Sequence, residues 1–189
     1  MLGAAAWSLA SGEWQVRDDW EVLVRNLENP TSWVRIEAAS LLGSLGAAAR
    51  KAIPALRAAL GPAVVSTPKN AVERLAAALS GTEEEAQMAA AVALAKVSDE
   101  AEESVSLLCR FLGAPEMHVR AQASKSLAKI GPPARAAVPS IEAALADPEW
   151  AVRRDAATAL GAIGDARATD SLRRIASDPV QDVRAAVEA

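Results

Sequence analysis

Along most of the chain, apolar residues return at i, i+3 and i+7, the spacing that lays one buried stripe on an α-helix. Trp20, Leu23 and Leu27 make such a stripe, as do Ile53, Leu56 and Leu60, then Val72, Leu75 and Leu79, then Val105, Leu108 and Leu112, and then Val138, Ile141 and Leu145. Turn pairs close several of these helices: Asn29-Pro30, Ala114-Pro115, Asp147-Pro148 and Asp178-Pro179. Proline disfavours helical backbone in the residue before it, so the helix ends there. A second helix follows each turn. At Thr82, the run Glu83, Glu84 and Glu85 makes a capping box with acids beside the positive end of the helix. The second helices finish at Gly46, Gly131 and Gly164, where left-handed C-caps are expected. Their alanine pairs, Ala38-Ala39 and Ala156-Ala157, suit close approach between helices. No strand-like alternation competes with this pattern.

The frame repeats. Leu27 to Gly46, Leu112 to Gly131 and Leu145 to Gly164 each run from Leu through a proline turn, Val-Arg, two small residues and Leu to a final Gly. Residues 79–98 keep Leu94 but carry Ala86-Gln87 in place of Val-Arg, and residues 176–189 keep Asp178-Pro179 and Val183-Arg184. The copies begin at 27, 79, 112, 145 and 176, so the steps are 52, 33, 33 and 31 residues. A period of 31–33 is that of a two-helix repeat, and two such units need about 66 residues. The 52-residue step therefore reads as two units lacking one second helix. Residues 61–70, with two prolines and a glycine, read as an irregular connection between two first-type helices.

The run Val152 to Gly164, Val-Arg-x-x-Ala-Ala-x-x-Leu-Gly-x-Ile-Gly, resembles the HEAT repeat, in particular the short bacterial variety also called phycobilisome-lyase HEAT-like. The resemblance implies an all-α, right-handed alpha-alpha superhelix of about five helix pairs, with the Val-Arg helices lining a concave, partner-holding surface. One domain, 1–189, is expected, with units near 19–46, 50–98 (irregular), 101–131, 135–164 and 168–189 (partial). In this family a turn Asp and the Arg six residues later form a ladder between repeats. Asp147/Arg153 and Asp178/Arg184 match, and Asn29/Arg35 nearly does. Ala114/Arg120 and Gly81/Gln87 depart from it, which predicts a break in mid-array.

Composition narrows the chemistry. The 189 residues include 46 alanines, with Lys+Arg 20 against Asp+Glu 24 and a net charge of −4, which gives no general pull toward phosphate backbones. No nucleic-acid partner is expected. The single cysteine, Cys109, cannot form an internal disulfide, and the single histidine, His118, cannot supply a multi-histidine metal site. Neither a membrane-length apolar run nor a basic signal region is visible, so a cytoplasmic protein without membrane contact is expected. No phosphate loop, nucleophile elbow or His-Glu-x-x-His occurs. Catalytic residues, metal ligands and cofactors are expected to be none. Cys109 is read as packing, and His118 as a turn or surface residue.

Seven of the 21 residues from 83 to 103 are acidic against one base, Lys96, and helix capping accounts for the cluster. Trp20 belongs to a core stripe, whereas Trp7, Trp33 and Trp150 are read as either interface anchors or plugs between repeats. In a solenoid, neighbours bury the framework residues and leave the other inner-helix positions as one surface. That surface is predicted to comprise Ile36, Glu37, Ser40, Met88, Val92 and Lys96, then Gln122, Lys125, Lys129, Arg154, Asp155 and Thr158. Its expected occupant is a protein or peptide. The expected function is a non-catalytic interaction scaffold within a larger protein, with a chromophore lyase of HEAT-like build or another enzyme-associated repeat protein as the alternative. The apolar residues at the two ends, Leu2 to Leu9 and Val183 to Val187, also predict self-association.

Overall fold

A computed structural model describes residues 20–60, 82–98 and 101–188. Trp7, Trp14, the 61–70 connection and the Val72, Leu75 and Leu79 stripe lie outside them. The described residues form α1 (Trp20–Asn26), α2 (Ser32–Leu45), α3 (Ile53–Leu60), α4 (Glu83–Val97) and α5 (Glu102–Phe111). They continue with α6 (Met117–Ile130), α7 (Val138–Ala144), α8 (Trp150–Ile163), α9 (Thr169–Ile175) and α10 (Gln181–Glu188). Short 3-10 segments, Gly46–Ala52, Pro132–Ala137 and Ala166–Ala168, lead into α3, α7 and α9.

The even-numbered helices stack in one inner row, each against the next, and the odd-numbered helices pack outside them. This is an alpha-alpha superhelix. The framework leucines Leu42, Leu94, Leu127 and Leu160 occupy the same position in four successive inner helices and are all buried. Each contributes about 1.5–3 kcal/mol by leaving water. Between them Ala39, Ala91, Ser124 and Ala157 are fully buried, because only a small side chain fits where neighbouring helices meet. Gly43 marks the tightest approach, since a Cβ there would stand 3.0 Å from the Ala93 Cα. The expected outer stripes also face inward, with Leu23, Leu27, Leu56, Leu60, Val105, Leu108, Val138 and Ile141 buried.

Inner helix α2 packs directly on α4, and α3 packs on α4 as the outer helix of its pair. Helices α3 and α4 are therefore paired although Leu60 and Glu83 are 23 positions apart in the sequence. The Thr82 capping box is present: Glu85 N–H donates to Thr82 Oγ1 at 3.1 Å, and Thr82 N–H donates to Glu85 Oε2 at 3.1 Å. Of the three C-terminal glycines only Gly164 is left-handed, with φ 66 and ψ 31. Gly46 (φ 53, ψ −132) and Gly131 (φ 70, ψ −140) adopt another conformation that favours glycine. The reason is the connection: a 3-10 segment follows Gly46 and Gly131 at once, whereas Asp165 intervenes after Gly164.

The arginine ladder differs from the expected pairing. Each Arg donates through one Nη to two carbonyls of its own turn, as Arg120 does to Ala114 O (3.0 Å) and Pro115 O (2.8 Å). Its other nitrogens clasp an acid in the next repeat. Arg120 donates to Asp147 at 2.7 and 3.0 Å, and Arg153 donates to Asp178 at 2.8 and 3.2 Å. Ala114 thus leaves the Arg120 rung intact, because a carbonyl suffices within the turn. Arg35 makes its cross-repeat pair with Glu83. Among the described helices, the rung without charges is the one between α4 and α6, where Gln87 and Ala114 stand in for Arg and Asp together. Each turn acid also caps its own turn, Asp147 Oδ1 accepting from Glu149 N–H and Asp178 Oδ1 from Val180 N–H, both at 2.9 Å. The guanidinium bond is the main reason that both carboxyls are held below the usual carboxylate range.

Candidate functional site

Stacking on both sides leaves the inner row exposed along a strip narrower than one helix face. On α2 it comprises Trp33, Glu37, Ser40 and Ser44, spaced three or four residues apart, and the matching positions on α6 are His118, Gln122, Lys125 and Lys129. Two predicted surface residues fall outside the strip. Met88, 1% exposed, belongs to the core because its position lies on the flank of α4 that meets a neighbouring helix. Asp155, 5% exposed, is folded down between α6 and α8. Arg154 donates to its Oδ1 from Nε (2.9 Å) and Nη2 (2.8 Å), and Lys125 Nζ stands 3.5 Å from Oδ2. Arg154 in turn lies over the Trp150 ring, 5.3 Å from its centroid. The predicted positions Lys125, Arg154 and Asp155 are therefore an ion cluster in which only the Asp155 carboxylate is buried, with Thr158 exposed beside it.

The remaining predicted residues converge on a groove of about 300 Å³ that crosses α2, α4 and α6. Its floor is small and buried: Ala39 and Gly43 from α2 and Ala93 from α4. Ile36 and Val92 supply half-buried apolar walls, while Ser40, Ser44, Gln122 and Ser126 supply hydroxyl and amide groups. Glu85 stands near the N-terminal end of α4, and Lys96 and Lys129 stand in the last turns of α4 and α6. The groove thus gathers Ile36, Ser40, Val92, Lys96, Gln122 and Lys129 from the sequence reading. Glu37 is exposed beside them but does not line it. Ser44, Glu85, Ala89 and Ser126 were missed, although Ser44 lies one turn from Ser40, Ser126 one turn from Gln122, and Ala89 and Glu85 one and two turns from Val92. No outer helix among the described residues lines this groove.

Trp33 is 53% exposed and Trp150 40%, so neither is a plug sealed between repeats. The acidic cluster is spent partly on the fold: Glu83 pairs with Arg35, Glu85 caps α4, and Glu103 pairs with Arg57 at 2.7 Å. Cys109 packs half-buried against the core, where burial pushes its thiol up. His118 is exposed. No group of three or more metal-binding side chains occurs among the described residues, and none of their helices is long and apolar enough to cross a membrane.

A family model for HEAT repeats matches residues 72–138 and 119–189, well over half of the chain. The chain belongs to the HEAT-repeat family. Residues 34–61 also match the PBS lyase HEAT-like repeat. At a significance that excludes chance likeness, no curated protein matches this HEAT-repeat chain. Among solved structures, the complex of CpcE and CpcF of phycocyanin lyase from Nostoc sp. PCC7120 is similar at 25% identity and a TM-score of 0.56. The likeness covers 89% of this chain and 62% of that one, so this chain spans less than two thirds of its length. Human deoxyhypusine hydroxylase is similar at 23% identity over 89% of this chain and 71% of its own, with a TM-score of 0.48. An engineered protein follows at 22% identity, 90% and 94% coverage and a TM-score of 0.40.

Proposed function

We propose that this HEAT array is a non-catalytic binding module that seats a protein segment on the exposed strip of its inner helices. The observation that carries the reading is the groove across α2, α4 and α6, which has a floor of alanine and glycine, apolar walls and a charged rim. An apolar floor supplies affinity through burial, and the polar rim supplies orientation. The Nostoc structure, itself a complex of two named subunits, supports a protein as the occupant. Photo-cross-linkers placed at Ser40 and Gln122, and separately at Arg57 and Arg173 on outer helices, test the reading in cells that make the chain. Adducts from the inner positions alone are expected, and adducts from the outer positions alone would overturn it.

A second reading, a subunit associated with a bilin lyase, is favoured by the same likeness to phycocyanin lyase and by the PBS lyase HEAT-like match at 34–61. Mixing the chain with a free bilin separates the two. A shifted and sharpened visible absorbance supports the lyase reading, and an unchanged spectrum supports a protein partner alone.

A further inference from the structure

The charged groups of the groove are arranged by polarity, and this arrangement identifies the class of segment it takes. Lys96 and Lys129 occupy the same position in consecutive inner helices, at the last turns of α4 and α6. Packed helices lie about 8–10 Å apart, a spacing that two lysine side chains lining one groove can bridge to a common anion. Neither lysine has a carboxylate partner among the described residues, whereas Lys125, one turn earlier on α6, is engaged with Asp155. The negative ends of the two helices oppose an anion there by about half a charge each, which two ammonium groups exceed. At the opposite mouth stands Glu85, already drawn to the Thr82 backbone.

Between these poles lies the strip from Glu85 through Ala89 and Val92 to Lys96. Eleven positions of helix at 1.5 Å each make about 16 Å. An extended chain covers that length in about five residues. The small side chains Ala89 and Ala93, with Ile36 and Val92 as walls, leave space for one apolar side chain in the middle. Resting on the reading given above, we propose that the groove binds a short extended peptide with an acidic end. A carboxylate sits between Lys96 and Lys129, and a Leu-, Ile- or Met-sized side chain one or two positions before it lies on the alanine floor.

The test selects binders of the whole chain from random heptapeptides displayed on phage, once with both ends blocked and once with a free C-terminus. Enrichment of Asp or Glu just after an apolar residue in the first arm, or of an apolar residue near a free carboxyl end in the second, supports the proposal and tells side-chain from terminal carboxylate. A fluorescein-labelled copy of an enriched peptide is then titrated by anisotropy. Lys96→Glu with Lys129→Glu is expected to weaken it at least tenfold, Lys96→Gln with Lys129→Gln less, and Ala89→Phe to block it, while Arg173→Glu on α9 leaves it unchanged. Circular dichroism checks that each variant folds. No enrichment, peptides without an acid, or binding indifferent to both lysine variants would overturn the proposal. Binding that ignores the lysines but is blocked by Ala89→Phe rejects the acidic ligand and leaves the inner-face reading standing. Binding that ignores every inner-face change rejects both.

Discussion

Two glycines at equivalent repeat positions have opposite roles. Gly43 and Gly161 fill the same place in their repeats, yet a Cβ at Gly43 would press on Ala93 at 3.0 Å, while one at Gly161 meets nothing within 4 Å. Gly43→Ala is therefore expected to destabilise the chain by about 1–3 kcal/mol through overpacking against backbone. Gly161→Ala should stabilise it by about 0.5–1 kcal/mol, since glycine is a poor residue inside a helix. Urea unfolding of the two variants decides this, and equal effects would show that α2 and α4 do not approach as described. The lysines divide in the same way. Lys129 is exposed without an acidic partner, so Lys129→Glu should change stability by no more than about 0.5 kcal/mol. Lys125→Glu with Arg154→Glu takes both cations from buried Asp155 and should cost about 1–3 kcal/mol. Sequence spacing placed all three on one face, and only the neighbouring helix distinguishes them.

Between elements, the arginine rungs tie each inner helix to the turn of the next repeat. Asp147 and Asp178 are held below their ordinary values, so their stabilisation is complete above about pH 4 and is lost as pH falls through the lowered values. Asp147→Asn with Asp178→Asn should lower stability at pH 7 by about 1–3 kcal/mol per rung. That deficit should shrink only below about pH 4, as pH falls from the ordinary carboxylate value toward the lowered native ones. Thermal melts of both proteins from pH 7 to pH 3 measure the gap, and a constant gap would mean that the rungs do not titrate with folding. The uncharged rung offers the converse experiment. Gln87→Arg with Ala114→Asp restores both partners, and a double-mutant cycle should give a favourable coupling of about 1–3 kcal/mol. Each single change alone buries a charge without its partner and should destabilise, so the double variant should be more stable than the sum of the two singles predicts.

At the scale of the whole molecule, a repeat array is held together by nearest-neighbour interfaces, and its weakest one sets where it opens. The α4 to α6 junction lacks a charged rung and carries part of the groove. Native-state hydrogen exchange in low urea should therefore show α6 and α8 opening together and later than α2 and α4. Simultaneous exchange of all four inner helices would place the cooperativity elsewhere. On the proposed binding mode, a segment lying across α2, α4 and α6 would bridge this junction and slow exchange on both sides.

Helix positions, repeat period, family and core stripes were legible in the sequence because each rests on local spacing: 3.6 residues per turn, proline at turns, glycine at ends and one leucine per inner helix. The Thr82 cap was legible for the same reason, since its partners lie three residues apart. Much of the groove could also be read, as Ser40, Val92, Gln122 and Lys129 share one face of their helices. Contacts made between repeats were decided by the tertiary structure. The fork of Arg120 reaches 27 residues to Asp147, so the rung depends on the next turn and not on Ala114. Met88 and Asp155 were lost from the surface when neighbouring helices closed over their flanks, and Gly46 and Gly131 took their conformations from the 3-10 segments that follow. A helix specifies its own faces through its period, but which part of a face stays open is set by the helices stacked on either side.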